Sequence, residues 1–210
     1  MIIDIHTHTR PRSEDSLLTP SELIEQAKRA GLDGICVTEH DWFWDADELA
    51  ALNKEHNFLI LPGVELNTED GHLLVFGLEK YEFGMHHTEY VRRLLDENNG
   101  FMILAHPYRR HLHREDDILT AVDKYYQKPV FNFVDTIEIL NGRGTPRQNN
   151  FSNELCRKLG FKGTGGSDCH KTAHVPTCAT CFKRNIRNLE ELITELQAGR
   201  YEPVDLRHSL

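Results

Sequence analysis

Apolar residues gather in seven short runs, at 2–5, 34–38, 58–64, 72–77, 101–105, 134–140 and 161–164. Runs of this length suit strands buried on both faces. Between several of them lie segments with helical spacing, at about 20–31, 45–56, 87–98, 147–159 and 188–198. The first of these opens Thr19-Pro20-Ser21-Glu22. Thr19 can cap the helix, Pro20 suits its first turn, and Glu22 completes a capping box. Gly31, Gly100 and Gly160 each follow a helical segment and predict its stop. Strands alternating with helices predict an α/β fold with a largely parallel sheet. About seven such units favour a small or irregular barrel over an open sheet. The stretch 107–130 is the least regular and reads as an excursion from the scaffold.

The chain has 210 residues, and one domain over 1–210 is expected. No apolar run is long enough to span a membrane. The start, Met-Ile-Ile-Asp-Ile-His, lacks the features of a signal peptide, so the cytoplasm is the expected location. Net charge is −9, which argues against a protein that coats nucleic acid. Bound cations can still reverse the field locally, so a nucleotide substrate is not excluded. The five cysteines are an odd count and do not suggest a disulfide framework. Cys178 and Cys181 form a lone C-x-x-C, a weak zinc or redox signal without a second pair.

The chemistry sits where the strands end, which is where sites form in such folds. The first run continues as Asp4-Ile5-His6-Thr7-His8, and alternation puts Asp4, His6 and His8 on one face. Asp4 is placed to orient one of the two histidines. Later runs meet Thr38-Glu39-His40-Asp41, Gly63-Val64-Glu65, Gly71-His72, Ala105-His106-Pro107 and Gly166-Ser167-Asp168-Cys169-His170. Each alone has an ordinary reading as a surface pair or a satisfied core histidine. Repeated at strand after strand, imidazoles and carboxylates imply a shared partner, and a transition-metal ion suits that donor set.

These motifs, D-I-H-T-H-T, T-E-H-D, G-V-E, A-H-P and G-S-D-C-H in that order, resemble those of the PHP (polymerase and histidinol phosphatase) superfamily of metal-dependent phosphoesterases. The resemblance spans residues 4–170, and the length is similar to that of its compact members. It implies a distorted (β/α)7 TIM-like barrel holding two or three divalent ions, with Zn, Mn or Fe all compatible. By motif, His6, His8, Glu65 and Asp168 would hold a first ion. Glu65 would bridge to a second, bound also by His72 and His106. Asp15, His40 and His170 would hold a third. The superfamily commonly has Asp where this chain has Glu39.

The implied activity is hydrolysis of a phosphoester by metal-activated hydroxide, with Asp168 or Asp41 steering or accepting a proton. Arg109 and Arg143, each beside a strand end, are candidate phosphate contacts, because a guanidinium fork matches phosphate oxygens. Arg110 and Arg147 are weaker candidates, and Glu138 reads as a structural partner for one of these arginines. The expected substrate is a small phosphorylated metabolite, a nucleotide or a short oligonucleotide, without a stable nucleic-acid partner or a membrane. Two other readings stand beside it: an amidohydrolase-type enzyme acting on C–N or lactone bonds, which shares H-x-H on a barrel strand, and a non-catalytic metal-binding module. His56, His86, His87, His111, His113, His174 and His208 match no motif and read as surface residues, with a substrate contact open to His111 and His113.

Overall fold

The computed structural model describes residues 1–207; His208 lies outside the described residues. Among the described residues, ten strands form two five-stranded sheets. The first sheet has the order β10-β9-β1-β2-β3, with β1 at Ile2–Thr7, β2 at Gly34–Val37, β3 at Leu59–Pro62, β9 at Cys178–Phe182 and β10 at Tyr201–Asp205. The second has the order β4-β5-β6-β7-β8, with β4 at Val64–Thr68, β5 at Gly71–Phe76, β6 at Phe101–Leu104, β7 at Thr136–Asn141 and β8 at Thr164–Gly166. The helices between them are α1 Pro20–Arg29, α2 Ala46–His56, α3 Thr88–Glu97, α4 Tyr108–His111, α5 Ile118–Tyr125, α6 Pro146–Leu159 and α7 Leu189–Gln197. The architecture is a distorted α/β barrel.

Single bridges join the sheets on two sides. Thr7 bridges Cys169, and His40 bridges Glu65. The Asp168 amide donates to the His6 carbonyl at 2.9 Å, and the Glu65 amide donates to the Glu39 carbonyl at 3.0 Å. The polar ends of β1, β2, β4 and β8 are thereby sewn to one another. Apolar side chains fill the space behind them, including Ile3, Ile5, Leu74, Phe76, Ile103 and Phe182.

Local chemistry explains most elements. Thr19 accepts from the Glu22 amide and Glu22 accepts from the Thr19 amide, so the capping box of α1 forms as expected. Thr145 and Gln148 build the same device on α6, and Gly160 ends that helix in the left-handed conformation at φ 72°. The excursion at 107–130 is more regular than its sequence suggests, since it carries α4, α5 and a 3-10 turn at Pro129–Asn132.

Three features depart from the sequence reading. The run 58–64 is two strands, broken at Gly63. A Cβ on Gly63 would lie 2.7 Å from the Phe76 ring and 2.9 Å from Thr38 Cγ2, so the chain can turn there only without a side chain. Next, β5 runs antiparallel to both β4 and β6. Glu69-Asp70-Gly71 makes the intervening turn, with Gly71 at φ 137°. Asp-Gly before an apolar run is a hairpin signal, and it outweighs the parallel pattern here. Finally, β9 and β10 lie beyond the seven expected runs. The C-x-x-C lies in β9, where three-residue spacing sends Cys178 and Cys181 to opposite faces. All five cysteines are free, and four are buried.

Candidate metal centre

Side chains from β1, β2, β5 and β6 converge on one carboxylate of β4. Glu65 is fully buried, and five imidazoles point at it. Its Oε1 lies 2.9 Å from His72 Nδ1, 2.9 Å from His106 Nε2 and 3.4 Å from His6 Nε2. Its Oε2 lies 3.0 Å from His40 Nδ1 and 3.1 Å from His8 Nε2. Asp168, also buried, faces the same space, with Oδ1 3.7 Å from both His6 Nε2 and His8 Nε2 and 3.4 Å from His170 Nδ1. Asp15 reaches in from its loop, 2.9 Å from His170 Nε2 and 3.5 Å from His40 Nε2. All nine residues expected to surround the ions are therefore brought together. His72 arrives from the start of its strand rather than the end, because β5 is reversed.

The groupings resolve into overlapping sets of ligand-competent atoms. They are His6, His8 and Glu65; His6, His106 and Asp168; His40, Glu65 and His72; and His8, His40 and His170. Within each set the atoms lie within 4.8 Å of one another. Two residues sit in strained left-handed backbone, His106 at φ 28° and Asp168 at φ 52°. Such conformations cost free energy in residues with a Cβ and gather where geometry serves a site.

The polar shell behind these residues fixes which atoms face inward. His6 Nδ1 lies 2.9 Å from Glu138 Oε1. An N–H on that nitrogen donates to the carboxylate and leaves Nε2 directed at Glu65 and Asp168. Glu138 also accepts from the His106 amide at 3.0 Å and from Asn141 Nδ2 at 2.9 Å. Its partners are thus an imidazole, an amide and a carboxamide, and it does not serve an arginine. Gly166 permits this packing, since a Cβ there would lie 2.5 Å from His6 Cβ and 2.9 Å from Glu138 Oε1. Asp4 behaves differently from expectation. Its Oδ1 accepts from the backbone amides of Ser167 and His6, at 2.9 and 3.2 Å, so it ties β1 to the β8 end and orients no ring.

Glu39 does hold a ring, through an intermediary. It accepts from Ser13 Oγ at 2.6 Å, from the Thr9 amide at 2.8 Å, from Thr9 Oγ1, and from Trp44 Nε1 at 3.3 Å. Ser13 has one hydroxyl proton and gives it to Glu39, so at His8 it accepts, 3.2 Å from Nδ1. That arrangement puts the His8 proton on Nδ1 and its lone pair on Nε2. Glu39→Gln and Ser13→Ala are expected to weaken metal binding about 10- to 100-fold, the range for removing such supports. Competition with a chromophoric chelator measures this, and unchanged affinity in both variants would remove Glu39 and Ser13 from the centre.

Burial and charge set the protonation pattern. Burial opposes charge on His6, but Glu138, Glu65 and Asp168 outweigh it and hold its pKa well above the usual value. Burial likewise opposes charge on His40, and Glu65 and Asp15 outweigh it. Burial lowers His8 to about 4, and it also lowers His106 and His170. Glu65 is held well below the ordinary carboxylate range, its burial overcome by His6, His106 and His40. Asp168 is depressed too, its burial overcome by His6, His106 and Arg109. The centre is an anionic cavity that demands positive charge.

A cation answers that demand. His6 Nε2, His8 Nε2 and Glu65 Oε2 are buried and make no hydrogen bond. With His8 protonated on Nδ1, its Nε2 lone pair faces the Glu65 Oε2 lone pairs at 3.1 Å. Two acceptors that close in a dry site repel unless a proton or a cation lies between them. The donor set, imidazole nitrogen and carboxylate oxygen without thiolate, fits Zn, Mn or Fe.

The arginines divide into two pairs. Arg109 donates to Asp168 Oδ2, and Arg143 lies 3.5 Å from Asp168 Oδ1 and 3.1 Å from His170 Nδ1, so both reach the centre. Arg110 turns to the Glu69 carbonyl at 3.0 Å, and Arg147 to the carbonyls of His113 and Asp116. Asp41 is exposed, and both its oxygens bind Asn67, at 2.9 Å each. It braces the edge between β2 and β4 and joins none of the ligand groups. Asn141, Ser13 and Glu138 are the site residues that motif reading missed or misassigned. A glutamate inside the apolar run Ile137-Glu138-Ile139-Leu140 was the available signal for the last.

Known proteins resemble this chain in part of its sequence and in its fold. Residues 146–201 match the PHP-associated family, and residues 1–81 match a family of unknown function, DUF6282. Among curated proteins, the uncharacterized protein MJ1587 of Methanocaldococcus jannaschii is 26% identical over 118 residues, covering 51% of this chain and 68% of that protein. A PolC-type DNA polymerase III of Oceanobacillus iheyensis is 32% identical over 68 residues, 32% of this chain and 5% of the polymerase. Among solved structures, a two-domain protein of Bacteroides vulgatus, described as containing a predicted PHP-like metal-dependent phosphoesterase, superposes with a TM-score of 0.69 at 21% identity over 98% of this chain and 64% of that one. PsfC of Pseudomonas syringae superposes at 0.66 with 20% identity, covering 99% and 92% of the two chains. An amidohydrolase of Chromobacterium violaceum with bound sulfate superposes at 0.59 with 16% identity, covering 99% of each.

Proposed function

We propose that this chain is a metal-dependent phosphoesterase acting on a small phosphorylated molecule. The observation that carries the reading is Glu65, buried and ringed by five imidazoles, with three inward-facing atoms of the cluster, His6 Nε2, His8 Nε2 and Glu65 Oε2, that make no hydrogen bond. His6, His8, Glu65 and Asp168 would hold one ion; Glu65, His72 and His106 a second; Asp15, His40 and His170 a third. Divalent ions in such a centre acidify water and neutralise phosphate oxygens.

The chain's own groups supply the rest. Arg109 and Arg143 both reach Asp168 from the open side of the centre, where each is about one-third exposed, at 34% and 36%. From there their forks can take the outer oxygens of a phosphate, which matches two planar donors better than a carbonyl does. Arg109 then exchanges its contact with Asp168 for one with substrate. Asp168 is ionised across the neutral range and is the carboxylate placed to accept a proton, since Asp41 is spent on Asn67. Glu138 and Ser13 keep the imidazole nitrogens turned inward throughout.

The amidohydrolase reading rests on the same histidine pair and on one structural likeness. Two arginines aimed at the centre favour a phosphate over an amide or lactone. The metal-loaded protein is expected to hydrolyse members of a phosphomonoester panel and to leave amides and lactones intact, with activity lost in excess chelator and restored by Zn, Mn or Fe. Cleavage confined to amides or lactones would reverse the assignment.

A further inference from the structure

Beside the centre, a recess of about 50 Å³ is lined by His72, His106, Arg109, Arg110, His111 and Tyr125, among others. It shares Arg110, His111 and Tyr125 with an outer cavity of about 400 Å³. The two cavities adjoin at these three residues, between the candidate ions and the surface of α5. His111 and Tyr125, which line both cavities, stack with ring centroids 3.4 Å apart and planes at 19°. Tyr125 is 3% exposed, yet its hydroxyl has no hydrogen-bond partner.

Basic side chains outnumber acidic ones by three to two around the outer cavity. Arg110, Lys124 and Lys128 line the outer cavity, and among the described residues none of them has a carboxylate within 4.0 Å. Two acids share the wall, Asp116 and Asp117. Both are already used locally: Asp116 accepts from the His113 amide at 2.7 Å, and Asp117 caps α5 by accepting from the Thr120 amide at 3.0 Å. Burial, helped by the charges of Lys128 and Arg110, pushes the His111 pKa down to about 4.

We propose that the outer cavity, with Arg110, Lys124 and Lys128 on its wall, binds a second anionic group of the substrate, a phosphate or a carboxylate. The inference rests on the phosphoesterase reading of the adjoining centre. The preferred substrate would be a phosphoester with another anion on its leaving group, one end at the ions and the other on α5. The stacked His111–Tyr125 pair forms the wall along which the linker lies. Unpaired cations around a concave surface concentrate anions there and orient them.

The test separates binding from catalysis. Inorganic phosphate is titrated into the chelator-treated protein while backbone amides are followed by NMR. Amides of residues 110–113 and 120–128 are expected to shift, and the double variant Lys124→Ala, Lys128→Ala is expected to bind phosphate there at least tenfold more weakly. The same variant should load metal normally, because neither lysine touches the centre. With metal-loaded protein, α,ω-alkanediol bisphosphates, the matching phosphocarboxylates and simple alkyl phosphates are compared. A dianionic series is expected to show a KM at least tenfold below the alkyl phosphates, with the advantage lost in the variant; whichever series does so identifies the anion. Amide shifts confined to the centre, or equal KM values for all three series, would overturn the inference. If no phosphoester is cleaved while phosphate still shifts residues 110–128, the phosphoesterase reading fails and the anion site stands.

Discussion

Glu65→Gln is expected to abolish activity, with a loss of at least about a thousandfold, and to lower the bound metal per chain. Glu65 meets His6, His8, His40, His72 and His106, more ring nitrogens than any other carboxylate of the centre. A carboxamide offers one oxygen and one NH2, so one of its ends turns a donor toward nitrogens that already need an acceptor or an ion. Without metal the change also removes the main counter-charge of His6. Breaking a buried pair by removing one partner costs about 3–5 kcal/mol. The metal-free variant is therefore expected to melt earlier than the metal-free parent. Metal content by mass spectrometry and activity against the responsive phosphoester check the first effect, and calorimetry checks the second. Full metal content in Glu65→Gln would show that the ions do not depend on this carboxylate.

Metal loading is expected to raise the melting temperature by about 8–16 °C and to release protons. A ligand present at a thousand times its Kd adds about 4.1 kcal/mol, and a chain of this size gains about 2–4 °C per kcal/mol. The proton release follows from His6 and His40, whose pKa values are raised by neighbouring carboxylates and whose nitrogens must be free to bind metal. A raised histidine stabilises the metal-free protein below its unfolded pKa of about 6.5, and that contribution fades as pH rises through its folded value. His8 at about 4 acts in the opposite sense, so the protein loses stability as pH falls from about 6.5 toward 4. Glu65 and Asp168 are depressed, and their contribution disappears as pH falls below about 4. Metal affinity should therefore climb with pH near neutrality, about tenfold per unit for each proton displaced. Titration calorimetry in two buffers of different ionisation enthalpy reads that number directly. Identical heats in both buffers would contradict the protonation pattern derived for His6 and His40.

The sequence was most legible where a residue's role follows from its neighbours in the chain. H-x-H on a strand puts two rings on one face, and His6 and His8 do lie there, with rings 5.1 Å apart. The Thr19 and Thr145 caps depend on contacts three residues away and need no tertiary knowledge. The convergence of Glu65, His106 and Asp168 was legible for another reason: strand ends in such folds open on a common rim, and the motifs mark those ends. What stayed hidden depends on contacts between distant segments. Glu138 touches His6 across 132 positions, and Ser13 links His8 to Glu39 only once its loop has folded back. Asp41 follows directly after His40 in T-E-H-D and was read as chemical, yet its left-handed backbone at φ 51° accompanies a side chain turned to Asn67. The reversal of β5 was written in Asp70-Gly71, but the surrounding apolar pattern is the same for parallel and antiparallel strands.

Cations are expected to fill the space between Glu65, Asp168 and the inward-facing imidazoles. Diffraction from metal-soaked crystals, recorded on both sides of the metal's absorption edge, tests this most directly. The expected result is two or three anomalous peaks, at least one of them between Glu65, His6 and His8, at about 2.0–2.2 Å from nitrogen and oxygen. An empty centre in crystals that hold the metal elsewhere would contradict it.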